Sequence, residues 1–174
     1  MEVFGVMVPT GPWDIVSYLA VLTVTVAVFW EKHGVILFIA GGLALALYAW
    51  FFLEDVLFTT LQSLCVLSGL LQITKVKKDT AVFFLGMVTL ISIFVLFKIG
   101  AVQSFVPALG IGGLMGIIFG IIVFPKSTSF WLMAGGCVLL VGYAYMIGAW
   151  VFVALNIVFL LANVYKLFVA KKGV

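Results

Sequence analysis

The chain has 174 residues, 66% of them hydrophobic and 9% charged, with a mean hydropathy of +1.41 and a formal net charge of +3. A soluble domain of this size needs far more charge to cover its surface, so the composition excludes one and leaves an integral membrane protein with almost no soluble mass. The apolar residues come in helix-length runs, which favours helices over a barrel, whose strands would alternate apolar and polar.

In chain order, the start MEVFGVMVPTGPWD has neither a basic n-region nor a small-residue cleavage site, so the first apolar run reads as a retained helix. A membrane crossing takes roughly 20 apolar residues. Seven runs qualify: 13–30, 34–52, 55–74, 80–98, 104–124, 129–147 and 149–168. Between them stand EKH (31–33), LED (53–55), KVKKD (75–79), GAVQS (100–104) and PKSTS (125–129), with a weaker break near Gly148. Trp13 and Trp30 flank the first run as interfacial anchors. Cys65 and Cys137 fall inside apolar runs and outside any CxxC pattern, which predicts buried structural thiols.

All nine basic residues are lysines. Without arginine, a bidentate clamp on phosphate or carboxylate is disfavoured. Under the seven-span reading Lys32, Lys75, Lys77, Lys78, Lys126, Lys166, Lys171 and Lys172 share one side, and only Lys98 lies on the other. The positive-inside rule then puts the C-terminus in the cytoplasm and the N-terminus outside.

The phrase AGG occurs at 40–42 and again at 134–136, 94 positions later (134 − 40). After a one-residue shift Tyr48-Ala49 matches Tyr143-Ala144. The shift then reverses: Gln62 falls on Asn156, Gly69 on Asn163, and Lys77-Lys78 on Lys171-Lys172. Each half reads as a helix, an AGG-bearing helix, a short turn, an amide-bearing helix and a lysine stop. The first helices match poorly, because 104–124 carries Gly112, Gly116 and Gly120 at a spacing that allows close helix approach, and 13–30 has no such glycines. The expected architecture is all-α: a polytopic membrane protein of seven transmembrane helices in a 3+1+3 arrangement of parallel repeats. Residues 1–78 form the first repeat, 79–100 the connector and 101–174 the second repeat. Parallel repeats around a midplane site are a transporter plan.

The order of features resembles the superfamily of SWEET sugar transporters and PnuC-type vitamin transporters. The stretch from Trp30-Glu31-Lys32 through Tyr48 to LQSLCVLSGLLQ is similar to the PnuC branch, and so is SFWLMAGGCVLLVGYAYMIGAWVFVALNIVFLLANVYKLF. No Pro-Gln dipeptide occurs, which sets a SWEET-like sugar transporter behind. The resemblance implies facilitated diffusion of a small polar metabolite, vitamin or nucleoside-like, with nicotinamide riboside the best guess. It also implies a bacterial inner (plasma) membrane, a cytoplasmic kinase that traps the substrate, no cofactor and no nucleic acid.

Polar groups inside a membrane are costly, so they are the first functional candidates. Asn156 and Asn163 lie two helical turns apart on one face, and Thr59, Gln62, Val66 and Gly69 form the matching stripe. Amides both donate and accept, which suits a hydroxyl- or amide-bearing ligand; helix-to-helix hydrogen bonding is the alternative. Tyr48, Trp50, Tyr143, Tyr145 and Trp150 gather toward the outer helix ends. A headgroup-level belt explains them, and stacking on a flat ligand is the sharper reading. The expected substrate-binding residues are Gln62, Asn156, Asn163, Trp150, Trp50 and Tyr143. No catalytic or metal-binding residue is expected: no Ser–His or paired-Asp constellation assembles at membrane depth, and His33 is a lone loop histidine. Every carboxylate falls near a helix end, which argues against a proton relay. Lys166 lies near the cytoplasmic end and reads as a snorkelling residue, which argues against a retinal protein. The contrasting reading is a non-transporting membrane assembly protein, whose glycine face at 112–120 packs on a partner or on a second copy as a homo-oligomer.

Overall fold

The structure, a computed structural model, describes residues 2–3, 6–7, 12–29, 34–74, 76–123 and 127–171. Trp30, Glu31, Lys32, His33, Lys75, Lys126 and Lys172 lie outside the described residues. A two-strand antiparallel hairpin, β1 (Glu2–Val3) and β2 (Val6–Met7), precedes seven α-helices. These are α1 (Pro12–Phe29), α2 (Gly34–Tyr48), α3 (Val56–Ile73), α4 (Lys78–Lys98), α5 (Phe105–Val123), α6 (Ser127–Met146) and α7 (Trp150–Lys171). A π-helical turn, Ala49–Leu53, continues α2.

Each helix lies within a few residues of a run expected from the sequence. Among the described residues five helical segments are long and apolar enough to cross a membrane: Gly34–Leu53, Val56–Ile73, Lys78–Lys98, Thr128–Met146 and Trp150–Phe168. In α1 and α5 the apolar stretches are shorter, Ile15–Ala27 and Phe105–Ile121.

Local chemistry keeps these helices intact in apolar surroundings. Asp55 caps α3, its Oδ1 accepting from the Phe58 N–H at 2.8 Å. The hydroxyls of Thr59, Thr60 and Thr89 donate to carbonyls one turn back in their own helices, so none is left unmade. Residues in the left-handed region follow two of the helical segments, Glu54 (φ 52°) after the π-turn and Gly148 (φ 73°) after α6. The break near Gly148, weak as a sequence signal, is thus a backbone reversal that glycine favours.

Helix α2 packs on both α1 and α3, and α6 packs on both α5 and α7. The two groups meet along two seams, α1 against α7 and α3 against α5; α4 lies across the second, touching α3 and α5. Helix α4 buries only Leu85, Thr89 and Leu96, and turns Phe83, Phe84, Leu90, Ile91 and Phe94 outward. A helix apolar all round with so little of it buried is suited to a lipid-facing position.

The glycines of α5 are used inside the chain. A methyl group at Gly116 would stand 2.8 Å from Gly136 Cα and 3.0 Å from the Leu132 carbonyl oxygen, so α5 and α6 approach backbone to backbone. Gly41 plays the same part between α2 and α1, 3.0 Å from the Ala20 carbonyl oxygen by the same measure. Gly135 faces open space. Gly136, 95 positions after Gly41 (136 − 41), is thus crowded by a neighbouring helix as Gly41 is, and Gly135 is not.

Candidate functional site

The seam between the two helix groups is built from residues 94 positions apart. Phe58 of α3 and Phe152 of α7 (152 − 58) are both fully buried and stack on each other, ring centroids 4.1 Å apart and planes at 11°. Stacked aromatics of this kind contribute about 0.5–1.5 kcal/mol beyond their area. One turn further along each helix stand Gln62 and Asn156 (156 − 62), 6% and 5% exposed. Both line one cavity of about 30 Å³, together with Leu61 and Leu155, and with Val24 of α1 and Ile117 of α5.

The two amides are held differently. Asn156 Nδ2 donates to the Phe152 carbonyl at 2.7 Å, which leaves its Oδ1 as the acceptor. The Gln62 amide makes no hydrogen bond among the described residues and borders the cavity. The site therefore offers both donors and acceptors within walls that are otherwise apolar. Its volume is that of about one water molecule.

Above the stack, a polar contact joins the two groups. The Tyr143 hydroxyl of α6 donates to Asp55 Oδ2 at 2.6 Å, and the Tyr143 ring lies 5.2 Å from Phe58. Asp55 thus caps α3 with one oxygen and receives α6 with the other. A hydrogen bond to a charged group of this kind contributes about 1.5–3 kcal/mol. The position 94 after Asp55 is Ala149, so the contact has no counterpart across the seam.

Of the six residues expected to bind substrate, the structure brings Gln62 and Asn156 to one cavity. Asn163 is buried two turns beyond, its Nδ2 bonded to the Phe159 carbonyl at 2.7 Å, and does not line it. Gly69, its sequence partner, packs on Ile39 of α2. Trp150 is half-buried at the start of α7, edge-on to Tyr145 at 5.5 Å. Trp50 lies outside the seam, 54% exposed in the π-turn. Tyr143 is 5% exposed and turned inward, so it sits in neither the cavity nor an aromatic belt. The other aromatics do gather at one end of the bundle, where Trp13 meets Phe52 at 5.1 Å and Tyr48 stacks on Phe52 at 5.7 Å. Cys65 and Cys137 are buried and unpaired.

Sequence reasoning missed the Phe58–Phe152 stack and the Asp55–Tyr143 contact. The first had a signal, since the two phenylalanines share the 94-residue spacing of Gln62 and Asn156. The second had none, because nothing in the sequence pairs Asp55 with Tyr143. Comparison of the chain with protein-family models, curated proteins and solved structures finds no match.

Proposed function

We propose that this chain is a PnuC-like membrane transporter of a small polar metabolite, vitamin or nucleoside-like, with nicotinamide riboside as the best guess. It works by facilitated diffusion. Helices α1–α3 and α5–α7 are two parallel three-helix repeats that rock about the seam, α4 is the connector, and the N-terminus faces outside. The observation that carries the reading is the pair Gln62 and Asn156, repeat partners that meet at one cavity between the two groups.

Matching burial along the two halves supports the repeat. In the third helices the spacing is 94: Leu57 and Val151, Phe58 and Phe152, Leu61 and Leu155 are all buried. In the second helices it is 95, with Leu45 and Leu140, and Ala49 and Ala144, fully buried. In the first helices it is 93 (117 − 24): Val24 and Ile117 line the cavity, and Val21 and Leu114 are buried. The step from 95 to 94 coincides with the π-turn, which accommodates one extra residue in the first half.

A cavity of about 30 Å³ is far below the roughly 300–1,000 Å³ of small-molecule pockets. In this reading the protein is in a closed state, held by the Phe58–Phe152 stack and the Asp55–Tyr143 contact, and both must part for a metabolite to enter. The same tight closure favours the second reading, a non-transporting membrane assembly protein. Its original support, the glycine face of α5, is already covered by α6. A thermal-shift screen of detergent-purified protein against vitamins, nucleosides and sugars separates the two. A true ligand at 100 times its Kd stabilises by about 2.7 kcal/mol. Substrate-specific uptake into proteoliposomes must follow; a chain that responds to no metabolite and conducts none is not a transporter.

A further inference from the structure

A second cavity, larger than the one at the seam, lies elsewhere among the described residues. It has a volume of about 250 Å³ and lies among α3, α4 and α5, outside the proposed substrate site. We infer that it is a binding groove for one anionic phospholipid, with the headgroup at Lys77 and Lys78 and part of an acyl chain running along α4 to Leu85. This rests on the chain lying in a membrane and is independent of whether it transports anything.

The groove is graded in polarity. Gln72 and Lys78 stand exposed at its mouth, Val82 and Leu71 form half-buried walls, and the buried Leu85 lies at its floor. From Lys78 to Leu85 is seven residues along α4, about 10 Å at 1.5 Å per residue, enough for the first several methylenes of an acyl chain. The Ser68 hydroxyl, the other polar group on the lining, already donates to the Cys65 carbonyl at 2.7 Å, so the interior makes no unmet polar demand. A wholly polar metabolite gains little from such walls, whereas an amphiphile matches both ends.

Charge selects the kind of amphiphile. Lys77 is exposed beside Lys78, and Asp79 is the one acid of the KVKKD stretch. Lys78 also has a partner within the protein, so Lys77 is the lysine more available to a phosphate. Lysines at a helix end, beside an apolar slot between helices, are the pattern by which membrane proteins hold anionic headgroups.

The test uses the full chain in neutral detergent. Melting temperature is followed while phosphatidylglycerol, phosphatidylcholine or chain-free glycerol phosphate is titrated in. Phosphatidylglycerol should raise it in a saturable way and the other two should not. The double variant Lys77→Gln, Lys78→Gln, which alters only exposed positions, should bind phosphatidylglycerol about 10–30-fold more weakly. Val82→Trp fills the slot with the lysines intact and should abolish the response. Equal stabilisation by phosphatidylcholine, an equal effect of glycerol phosphate, or an unchanged affinity in the double variant would each overturn the assignment. No metabolite is present, so the outcome is separate from that of the transport reading.

Discussion

At the scale of single residues, Asn156 is the sharpest test of the site. Its Nδ2 is bonded within its own helix, so a leucine there removes the free Oδ1 from the cavity without breaking a contact between helices. We expect Asn156→Leu to fold and elute as one species but to lose its thermal response to the ligand the screen identifies, because an unpaired polar group costs about 1–3 kcal/mol. Equal ligand response in the variant and the parent would remove Asn156 from the site and weaken Gln62 with it. A second residue tests the fold alone. Gly148 has φ 73° with open space around it, so Gly148→Ala should destabilise through the backbone alone, by about 1–2 kcal/mol, measured by thermal unfolding. The amides were legible in the sequence because a polar residue in an apolar run stands out. Tyr143 was legible only as an aromatic near a helix end, and its partner Asp55 only as an acid near one. Nothing in a linear pattern states that two such residues, 88 positions apart, touch.

At the scale of elements, the helices were read from apolar runs and their breaks to within a few residues, since a long apolar run leaves the backbone few other ways to satisfy its hydrogen bonds. The relation between the two halves was less legible. In the proposed repeat three spacings, 93, 95 and 94, relate the first, second and third helices, and one fixed offset blurs all three. The first helices match poorly by letter because 104–124 carries Gly112, Gly116 and Gly120 and 13–30 has no glycine. The α5–α6 contact is the element most exposed to damage. Gly116→Leu would push a side chain into the Gly136 backbone, and overpacking of this kind costs about 1–3 kcal/mol. A clear fall in melting temperature with a monodisperse parent is the expected result. If instead stability holds and only a change of oligomeric state follows, the glycine face serves an external partner.

At the scale of the whole molecule, cysteine labelling reads both orientation and motion. Under the proposed orientation a cysteine introduced at position 2 is labelled from outside intact cells; labelling only from the cytoplasmic side would reverse the topology. The motion has its own native reporter. Cys65 is buried and lines the cavity under the Phe58–Phe152 stack, so it reacts with a thiol reagent only when the seam opens. The Asp55–Tyr143 hydrogen bond joins the two groups above that stack, and rocking requires it to break. Tyr143→Phe keeps the ring against Phe58 and removes only the hydroxyl. If the bond contributes about 1.5–3 kcal/mol to the closed state, its loss raises the open population by about 10-fold to 150-fold. In a Cys137→Ser background, labelling of Cys65 by a membrane-impermeant reagent applied from the outside should accelerate by that factor, provided opening remains a minor state. Asp55→Asn removes the charge and keeps one acceptor oxygen for the Phe58 N–H and the Tyr143 hydroxyl to share, and should give an intermediate rate. An unchanged labelling rate in both variants means the contact does not hold the seam shut. Acceleration from the cytoplasmic side alone would put the gate at the opposite end from the one proposed.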